Sequence, residues 1–241
     1  MDAQQDSITP IPHHSFPQSL LGNLASTVSH EISNQFNAIF LYTDLLEEDL
    51  QQLPSHMHAS PLSSLAEIKT EVIRLQTIAQ DYFIVVRLGE LTYQPEALEA
   101  VVQACGLEIQ EVCARRGLTL HLEGLDHLGY VALHRSTIQR ALSHLLHHAV
   151  WAMPAGGTLS IRGQREGGDV RLEICDTGHG IPVEALPLVC KPWHGTLPEE
   201  TGLELYTAQA IVLAHGGKLT VQSVQGQGTK FTMIFPGVTG L

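Results

Sequence analysis

The sequence predicts an α+β protein, in which an N-terminal helical hairpin forms a dimeric four-helix bundle and is followed by an α/β sandwich. Two observations predict this class: a helical spacing of apolar residues over the first third of the chain, and shorter alternating segments over the remainder. A hydrophobic content of 44% and a mean hydropathy of +0.06 indicate a folded core. The 241 residues are enough for one large or two modest domains.

The hairpin is predicted from two apolar stripes. Apolar residues recur at steps of three, four and seven over residues 21–53 and again over 62–86, which is typical of long amphipathic helices. Pro54 ends the first helix, and residues 55–61 (SHMHASP) are expected to be a short polar connection. Because a lone hairpin cannot bury its whole stripe, residues 19–92 are expected to pair with a second copy. The hairpin therefore predicts a homodimer.

From about Tyr93 the pattern changes to a mixed sheet with helices, so residues 93–241 are expected to form a second domain. The predicted helices cover 96–116, 136–153 and 203–215. The predicted strands cover 118–122, 158–162, 170–175, 218–223 and 229–235.

Composition excludes several classes of function. A net charge of −12 argues against nucleic acid and anionic membranes as partners. The sequence contains no apolar run of about 18 residues, and residues 1–18 have neither a basic start nor an apolar core. That segment is predicted to be a flexible tail, and the protein to be cytoplasmic. Four scattered cysteines without a CxxC pair are expected to be reduced, buried thiols.

His30 is the first candidate for chemistry. It lies between Val28 and Ile32 and off the apolar stripe of the first helix, while Glu31 adjoins it and Asn34 follows one helical turn later. An exposed nucleophile fits this position, and an ordinary surface histidine is the alternative.

The segment SHEISNQFNAI resembles the H-box of the two-component sensor histidine kinase family, with its HisKA-type dimerisation and phosphoacceptor domain. The family pattern is His-Glu-x-x-(Asn/Thr)-Pro-Leu. The resemblance implies that His30 is the phospho-acceptor, that Glu31 is the base that takes its proton, and that Asn34 positions water or a regulator's aspartyl phosphate. Gln35 and Phe36 replace Pro-Leu, which predicts a straighter helix.

The second half resembles the GHKL-type (HATPase) ATP-binding domain of that family. DTGHGIP resembles its first glycine box, and LAHGGKLTVQSVQGQGTKFTMIFP resembles its closing strands. The resemblance implies ATP and Mg²⁺ as cofactors, with Asp176 accepting a hydrogen bond from the adenine amino group. Gly178 and Gly180 would let the backbone approach the nucleotide, and Thr229 in the closing strands would line the same site. Taken alone, DTGHG also fits a polar turn after a strand.

The metal-binding helix of that domain departs from the family pattern. STIQRALSHLLHHAVWAMPAGG matches the N-box, and its two asparagines fall at His144 and His148. Imidazole is a poor ligand for Mg²⁺, which prefers oxygen. Two histidines four apart share a helical face, so a transition metal is an alternative. Because the sequence provides no third ligand, no metal site is assigned.

A second segment of that domain, its lid, also departs from the family pattern. VCKPWHGTLPEETGLEL aligns without gaps on the family pattern IFEPFFTTKPEGTGLGL. Leu197 therefore replaces a lysine, and Glu200 and Glu204 replace two glycines, whereas Gly202 is retained. Carboxylates add bulk and negative charge where the resemblance places the triphosphate. Weak or absent use of ATP is expected.

Three functions remain open. The favoured one is a phosphorelay protein that carries a phosphoryl group on His30 to or from a response-regulator aspartate. A soluble histidine kinase that uses ATP-Mg and an inert dimeric scaffold are the alternatives. An ATP hydrolase of the gyrase or chaperone type is discounted, because it needs a glutamate where His144 stands. The expected partners are a receiver domain, a second copy of the chain, and an upstream sensor or phosphodonor, since the chain has no evident sensor domain.

Overall fold

The chain folds into two compact units, Gln18–Arg87 (the hairpin unit) and Leu88–Leu241 (the sheet unit). The computed structural model describes residues 21–52, 55–195, 197 and 200–238, and only the backbone of residues 21–31 and 55–60. The tail predicted at residues 1–18 lies outside the described residues. No helix among those described is long and apolar enough to cross a membrane.

The hairpin unit consists of two long helices, α1 (Leu21–Gln51) and α2 (Ser55–Arg87). They pack against each other along much of their length. Lys69 of α2 donates hydrogen bonds to the carboxylates of Asp44 and Glu47 on α1. The two long helices predicted from the apolar spacing are confirmed.

The connection between these helices is shorter than predicted. α2 begins at Ser55, so residues 55–61 belong to the helix and Pro61 lies inside it. The prediction of a polar connection was wrong for a physical reason. A segment rich in Ser and His has no apolar stripe to mark it as helical. Proline, which lacks an N–H and is disfavoured in helix interiors, also argued against a helix there.

Within the described part of the chain, the sheet unit contains three α-helices, a short 3-10 turn and seven strands. The helices are α3 (Leu98–Arg115), α4 (Arg135–Trp151) and α5 (Glu204–Ala214), and the 3-10 turn is Leu88–Glu90. The strands are β1 (Gln94–Ala97), β2 (Leu118–Glu123), β3 (Tyr130–Leu133), β4 (Gly157–Glu166), β5 (Asp169–Asp176), β6 (Lys218–Val224) and β7 (Gly228–Pro236).

Five strands form a mixed sheet in the order β2-β4-β5-β7-β6. β2 and β4 pair in parallel, and the other neighbours pair antiparallel. This arrangement confirms the predicted mixed sheet and its five strands. β1 and β3 form a separate antiparallel pair that was not predicted. Each is only four residues long, which is too short to show a clear period of two.

The core lies between the sheet and the helices. β5 alternates buried and partly exposed residues, and Val170, Leu172 and Ile174 are fully buried. α4 packs against β5 and lies between α3 and α5, which gives an α/β sandwich. Asp176 continues the buried register of β5, because alternate residues of a strand share a face. β5 therefore places the carboxylate of Asp176 at the edge of the core.

The four cysteines are unpaired, as predicted. Cys105 and Cys113 are buried, whereas Cys175 and Cys190 are only partly buried, so the prediction of burial holds for two of the four. Burial raises the pKa of the Cys105 thiol to about 11 and that of Cys190 to about 12. These thiols are therefore protonated at neutral pH and poorly nucleophilic.

Candidate functional site

The predicted phosphoacceptor segment lies in the first half of α1. His30 and Glu31 belong to this helix, but their side chains fall outside the part of the chain that the structure describes. Asn34 is exposed to solvent. On a helix, residues four apart lie on one face. The helical backbone thus places His30 and Asn34 on the same side of α1.

Asp176 is held at the end of β5 by one of its two carboxylate oxygens. Its Oδ1 accepts hydrogen bonds from the N–H of Gly178 at 2.8 Å and of Thr229 at 3.2 Å. Its Oδ2 is buried and has no hydrogen-bond partner among the described residues. Burial raises the pKa of Asp176, although the Gly178 hydrogen bond and the nearby His148 oppose that rise. One oxygen therefore organises the backbone, and the other is available to a donor.

Gly178 and Gly180 are required by the packing of the protein itself. A Cβ at Gly178 would lie 2.4 Å from the carbonyl oxygen of Ala152. At Gly180, where φ is +67°, a Cβ would lie 2.3 Å from the carbonyl oxygen of Val224. Real Cβ atoms do not approach backbone so closely, and a positive φ favours glycine. Both glycines are explained by internal contacts, with no ligand needed.

His148 of α4 forms a buried pair with Glu200 of the lid. Its Nδ1 lies 2.6 Å from Glu200 Oε1, and the two side chains are 1% and 9% exposed. The other oxygen of Glu200 accepts the N–H of Leu197 at 3.2 Å. The imidazole ring packs edge-on against Phe231, with ring centroids 5.3 Å apart. Its Nε2 is buried and has no partner in the described residues.

Glu204, the first residue of α5, binds the backbone of the turn just before the helix. Its Oε1 accepts hydrogen bonds from the N–H of Thr201 at 2.8 Å and from its hydroxyl at 2.9 Å. Its Oε2 accepts the N–H of Gly202 at 3.0 Å and of Leu203 at 3.1 Å. Successive N–H groups of a turn that converge on one point form a concavity that suits an anion. In this protein the anion is the carboxylate of Glu204 itself.

The lid segment before α5 is held in an unusual backbone conformation. Trp193 and Gly202 both have positive φ, +67° and +83°. The N–H of Trp193 donates to the carbonyl of Gly202 at 2.8 Å. A Cβ at Gly202 would lie 2.8 Å from the carbonyl carbon of Trp193, so this glycine too is required by packing. Leu197, which stands where the pattern that the lid resembles has a lysine, is buried and offers no positive charge.

The histidine pair on α4 has no third ligand for a metal. Among the described residues, no group of three or more His, Cys, Asp and Glu side chains could hold an ion. His148 already uses Nδ1 to contact Glu200, and His144 is buried. Mg²⁺ keeps oxygen ligands and several waters. A buried imidazole pair does not provide that environment.

Two internal pairings of the lid were not predicted. Glu200 and Glu204 were treated only as negative charges at a phosphate site. Thr201-x-x-Glu204 has the spacing of a capping box, and Glu204 accepts the N–H of Thr201 as such a glutamate does, although α5 itself begins only at Glu204. That pairing could have been found from the sequence. The Glu200–His148 pair joins residues 52 apart and leaves no local signal.

The two ends of this site therefore differ in what they can bind. The end formed by Asp176 has a free, buried acceptor that suits an amino group. The other end has its backbone donors occupied by Glu204 and its N-box position occupied by the His148–Glu200 pair. The residues present fit an adenine ring but do not fit a triphosphate with its Mg²⁺.

Known proteins resemble this chain in sequence. Residues 134–239 match the family model described as histidine kinase-, DNA gyrase B-, and HSP90-like ATPase. The chain is 26% identical over 216 residues to the sensor histidine kinase ZraS of Escherichia coli O157:H7, covering 90% of this chain and 46% of that protein. The chain thus spans about half the length of this curated relative.

Solved structures share the fold. The full-length ShkA structure in complex with AMPPNP matches with a TM-score of 0.72 at 22% identity, covering 91% of this chain and 46% of that one. Histidine kinase ThkA in complex with the response regulator TrrA matches with a TM-score of 0.63 at 20% identity, covering 90% of this chain and 62% of that one.

Proposed function

We propose that this chain, a member of the two-component histidine kinase family with a GHKL-type ATPase domain, exchanges a phosphoryl group between His30 and a receiver-domain aspartate without using ATP. One observation carries the proposal. The N–H groups of Thr201, Gly202 and Leu203, in the turn that leads into α5, are bound to the carboxylate of Glu204. A nucleotide's phosphate would have to displace that carboxylate.

The energetic cost of a triphosphate at this end supports the proposal. Two like unit charges about 4 Å apart repel by roughly 4 kcal/mol at an effective dielectric constant of about 20. A penalty of that size weakens binding by roughly a thousandfold. Glu200 adds a second carboxylate, and Leu197 removes a compensating lysine. A micromolar ATP site would thereby become a millimolar one.

The proposed reaction needs no nucleotide. In the forward direction, a ring nitrogen of His30 attacks the phosphorus of an aspartyl phosphate on the receiver. The P–N bond forms, the P–O bond to the aspartate breaks, and the aspartate is regenerated as a carboxylate. Glu31 takes the proton that the imidazole loses, and Asn34 positions the incoming phosphoryl group. The reverse transfer follows the same steps, so the protein can pass the group between two receivers.

Exposed apolar residues on the hairpin unit support a homodimer. Ile39 and Leu46 on α1 are seven residues apart, as are Ile68, Leu75 and Tyr82 on α2, and each of the five is 39% to 60% exposed. A repeat of seven keeps such residues on one seam of a helix. A second copy of the hairpin would cover both seams and complete a four-helix bundle.

Proposed partners follow from the same relationships. A structural neighbour is in complex with a response regulator, which supports a receiver domain as partner. An upstream sensor or phosphodonor protein would supply the signal, and a cytoplasmic location stays a prediction. An ATP-using kinase and an inert scaffold are the alternatives that experiment must separate.

The experiment is a phosphotransfer assay with two donors. The purified chain is incubated either with receiver domains from the source genome, phosphorylated by radiolabelled acetyl phosphate, or with γ-labelled ATP and Mg²⁺. The expected result is acid-labile label on the chain from a receiver and none from ATP. His30→Gln should abolish the label. His121→Gln, the same change at an exposed histidine on β2, should leave it unchanged.

The other outcomes select the alternatives. Label from ATP that is lost in His30→Gln would establish a kinase and refute the proposed loss of nucleotide use. No label from either donor would leave the inert scaffold.

The dimer is tested separately by sedimentation equilibrium. Leu75→Glu places a charge in the exposed seam of α2 and should give a monomer. Ser63→Glu introduces the same charge at an exposed position of α2 outside that seam and should stay dimeric. A wild-type chain that sediments as a monomer at micromolar concentration would overturn the bundle.

A further inference from the structure

The lid, residues 189–203, carries three buried apolar side chains in its described part. Val189, Leu197 and Leu203 are 2%, 8% and 6% exposed. Burial of apolar side chains is favourable but has no direction, so it does not by itself fix one position of a segment. The polar contacts of the same segment therefore decide where the lid lies.

One polar contact joins the lid to α4. Glu200 Oε1 lies 2.6 Å from His148 Nδ1, and the two side chains are 9% and 1% exposed. His148 Nε2 has no partner among the described residues, so the contact with Glu200 is the hydrogen bond that the structure shows for this ring. A hydrogen bond between two ionisable groups that are shielded from water is a strong one, whichever group carries the shared proton. The pair therefore favours the position in which the lid rests on α4.

The lid backbone is tied to the same glutamate. The second oxygen of Glu200 accepts the N–H of Leu197 at 3.2 Å, and the carbonyl of Leu197 accepts the N–H of Glu200 at 3.2 Å. The Glu200 side chain thus connects α4 to a turn of the lid. The N–H groups of residues 201–203 donate to Glu204. These backbone donors therefore have partners within the chain while the lid is closed.

The conformation of Trp193 indicates that the lid backbone is firmly held. Its φ is +67°, and its N–H donates to the carbonyl of Gly202 at 2.8 Å. A bulky residue keeps a left-handed backbone only where the surrounding contacts enforce it. The Trp193 side chain is 66% exposed, so packing of the indole does not enforce this conformation. The hydrogen bonds of the lid are what hold it.

We propose that the His148–Glu200 pair is a latch that keeps the lid closed on α4 with no ligand bound, an autoinhibitory contact built into the sheet unit. The closed lid withholds His148 and the N–H groups of residues 201–203 from any ligand. A molecule that needs the lid open must first separate the pair. The latch goes beyond the proposed exchange on His30, because it concerns the motion of the lid and holds whether or not that exchange occurs.

The test is amide hydrogen exchange of the full chain, free of nucleotide, read by mass spectrometry in peptides that cover residues 190–204. In the wild type these amides are expected to be protected. Glu200→Ala should raise their exchange rate at least about tenfold, because opening the lid then breaks fewer buried hydrogen bonds. Glu184→Ala, the same change at an exposed glutamate before the lid, should leave the rate unchanged.

A double-mutant cycle isolates the pair, since Glu200→Ala also removes the hydrogen bond to Leu197. His148→Ala alone should raise lid exchange as well, and the double variant should exchange no faster than the faster single variant, because residues that act as a pair give non-additive effects. His147→Ala, at the exposed neighbour that contacts Ser143, is the matched control. Peptides from β5 verify in the same experiment that each variant is folded. Glu200→Ala decides the outcome if His148→Ala does not fold.

Three results would overturn the latch: unprotected lid amides in the wild type, unchanged lid exchange in Glu200→Ala, and additive effects of the two single variants. Each is read from the lid and none depends on His30. The phosphotransfer assay reads label on the hairpin unit instead. A failure of the latch is therefore distinguishable from a failure of the proposed phosphoryl exchange.

Discussion

Replacing Glu204 by alanine should destabilise the sheet unit by about 2 kcal/mol, because it removes hydrogen bonds to a charged group. Its carboxylate accepts four hydrogen bonds of 2.8 to 3.1 Å at the start of α5. Buried bonds to a charged group contribute about 1.5 to 3 kcal/mol each. The full sum does not apply here, because these contacts are only partly buried and water can replace some of them.

Tryptophan fluorescence during thermal unfolding measures this effect, because both tryptophans, Trp151 and Trp193, lie in the sheet unit. For a unit of this size a loss of about 2 kcal/mol lowers Tm by roughly 4 to 8 °C. Glu204→Gln keeps an acceptor but loses the charge, so an intermediate shift is expected. Glu111→Ala, an exposed glutamate that pairs with Arg115, should cost no more than about 0.5 kcal/mol. Equal shifts in Tm for Glu204→Ala and Glu111→Ala would refute the conclusion that the hydrogen bonds of the Glu204 carboxylate stabilise the sheet unit.

Three further predictions follow from the sheet unit. Burial lowers the pKa of His215 in the folded protein. As the pH falls below about 6.5, the unfolded chain therefore binds a proton at His215 before the folded protein does, and the free energy of unfolding decreases. His215→Gln should flatten the dependence of the urea midpoint on pH in that range. Trp193 has a φ of +67°, so Trp193→Gly should be more stable than Trp193→Ala by about 1 kcal/mol in urea unfolding followed by circular dichroism, and equal stabilities would argue against backbone strain. Because burial raises the pKa of Cys105 to about 11 and of Cys190 to about 12, iodoacetamide at pH 8 should modify both slowly in the native protein and quickly in urea, as read by mass spectrometry.

The regular elements were largely predictable because their signals are local. α4 was expected over 136–153 and runs from Arg135 to Trp151, and α5 was expected over 203–215 and runs from Glu204 to Ala214. Both show a dense run of apolar residues bounded by polar or glycine residues. The start of α2 and the strands β1 and β3 were missed, because the first has no apolar stripe and the two strands are very short.

The site was predictable only in part. The position of Asp176 follows from its place at the end of a buried strand, whereas its hydrogen bonds to the backbone of Gly178 and Thr229 were not predicted and its expected role toward adenine stays a prediction. The partner of His148 could not be derived, because contact with Glu200 depends on how the lid folds back onto α4. No local pattern reports such a contact. In the sequence, His148 in an asparagine position and Glu200 in a glycine position look like two independent departures from the family pattern. In the structure their side chains contact each other.

The retained glycines should not be counted as support for ATP use. A Cβ at Gly178 or Gly180 would collide with the backbone of Ala152 or Val224, whether or not a nucleotide is present. Packing alone therefore accounts for both glycines. At positions 200 and 204, where the family pattern has glycines, the chain has glutamates. Both glutamates accept hydrogen bonds from backbone N–H groups of the lid, and a triphosphate bound there would have to disrupt these bonds. The glycines that the packing requires are thus present, while both glutamates already have partners within the protein.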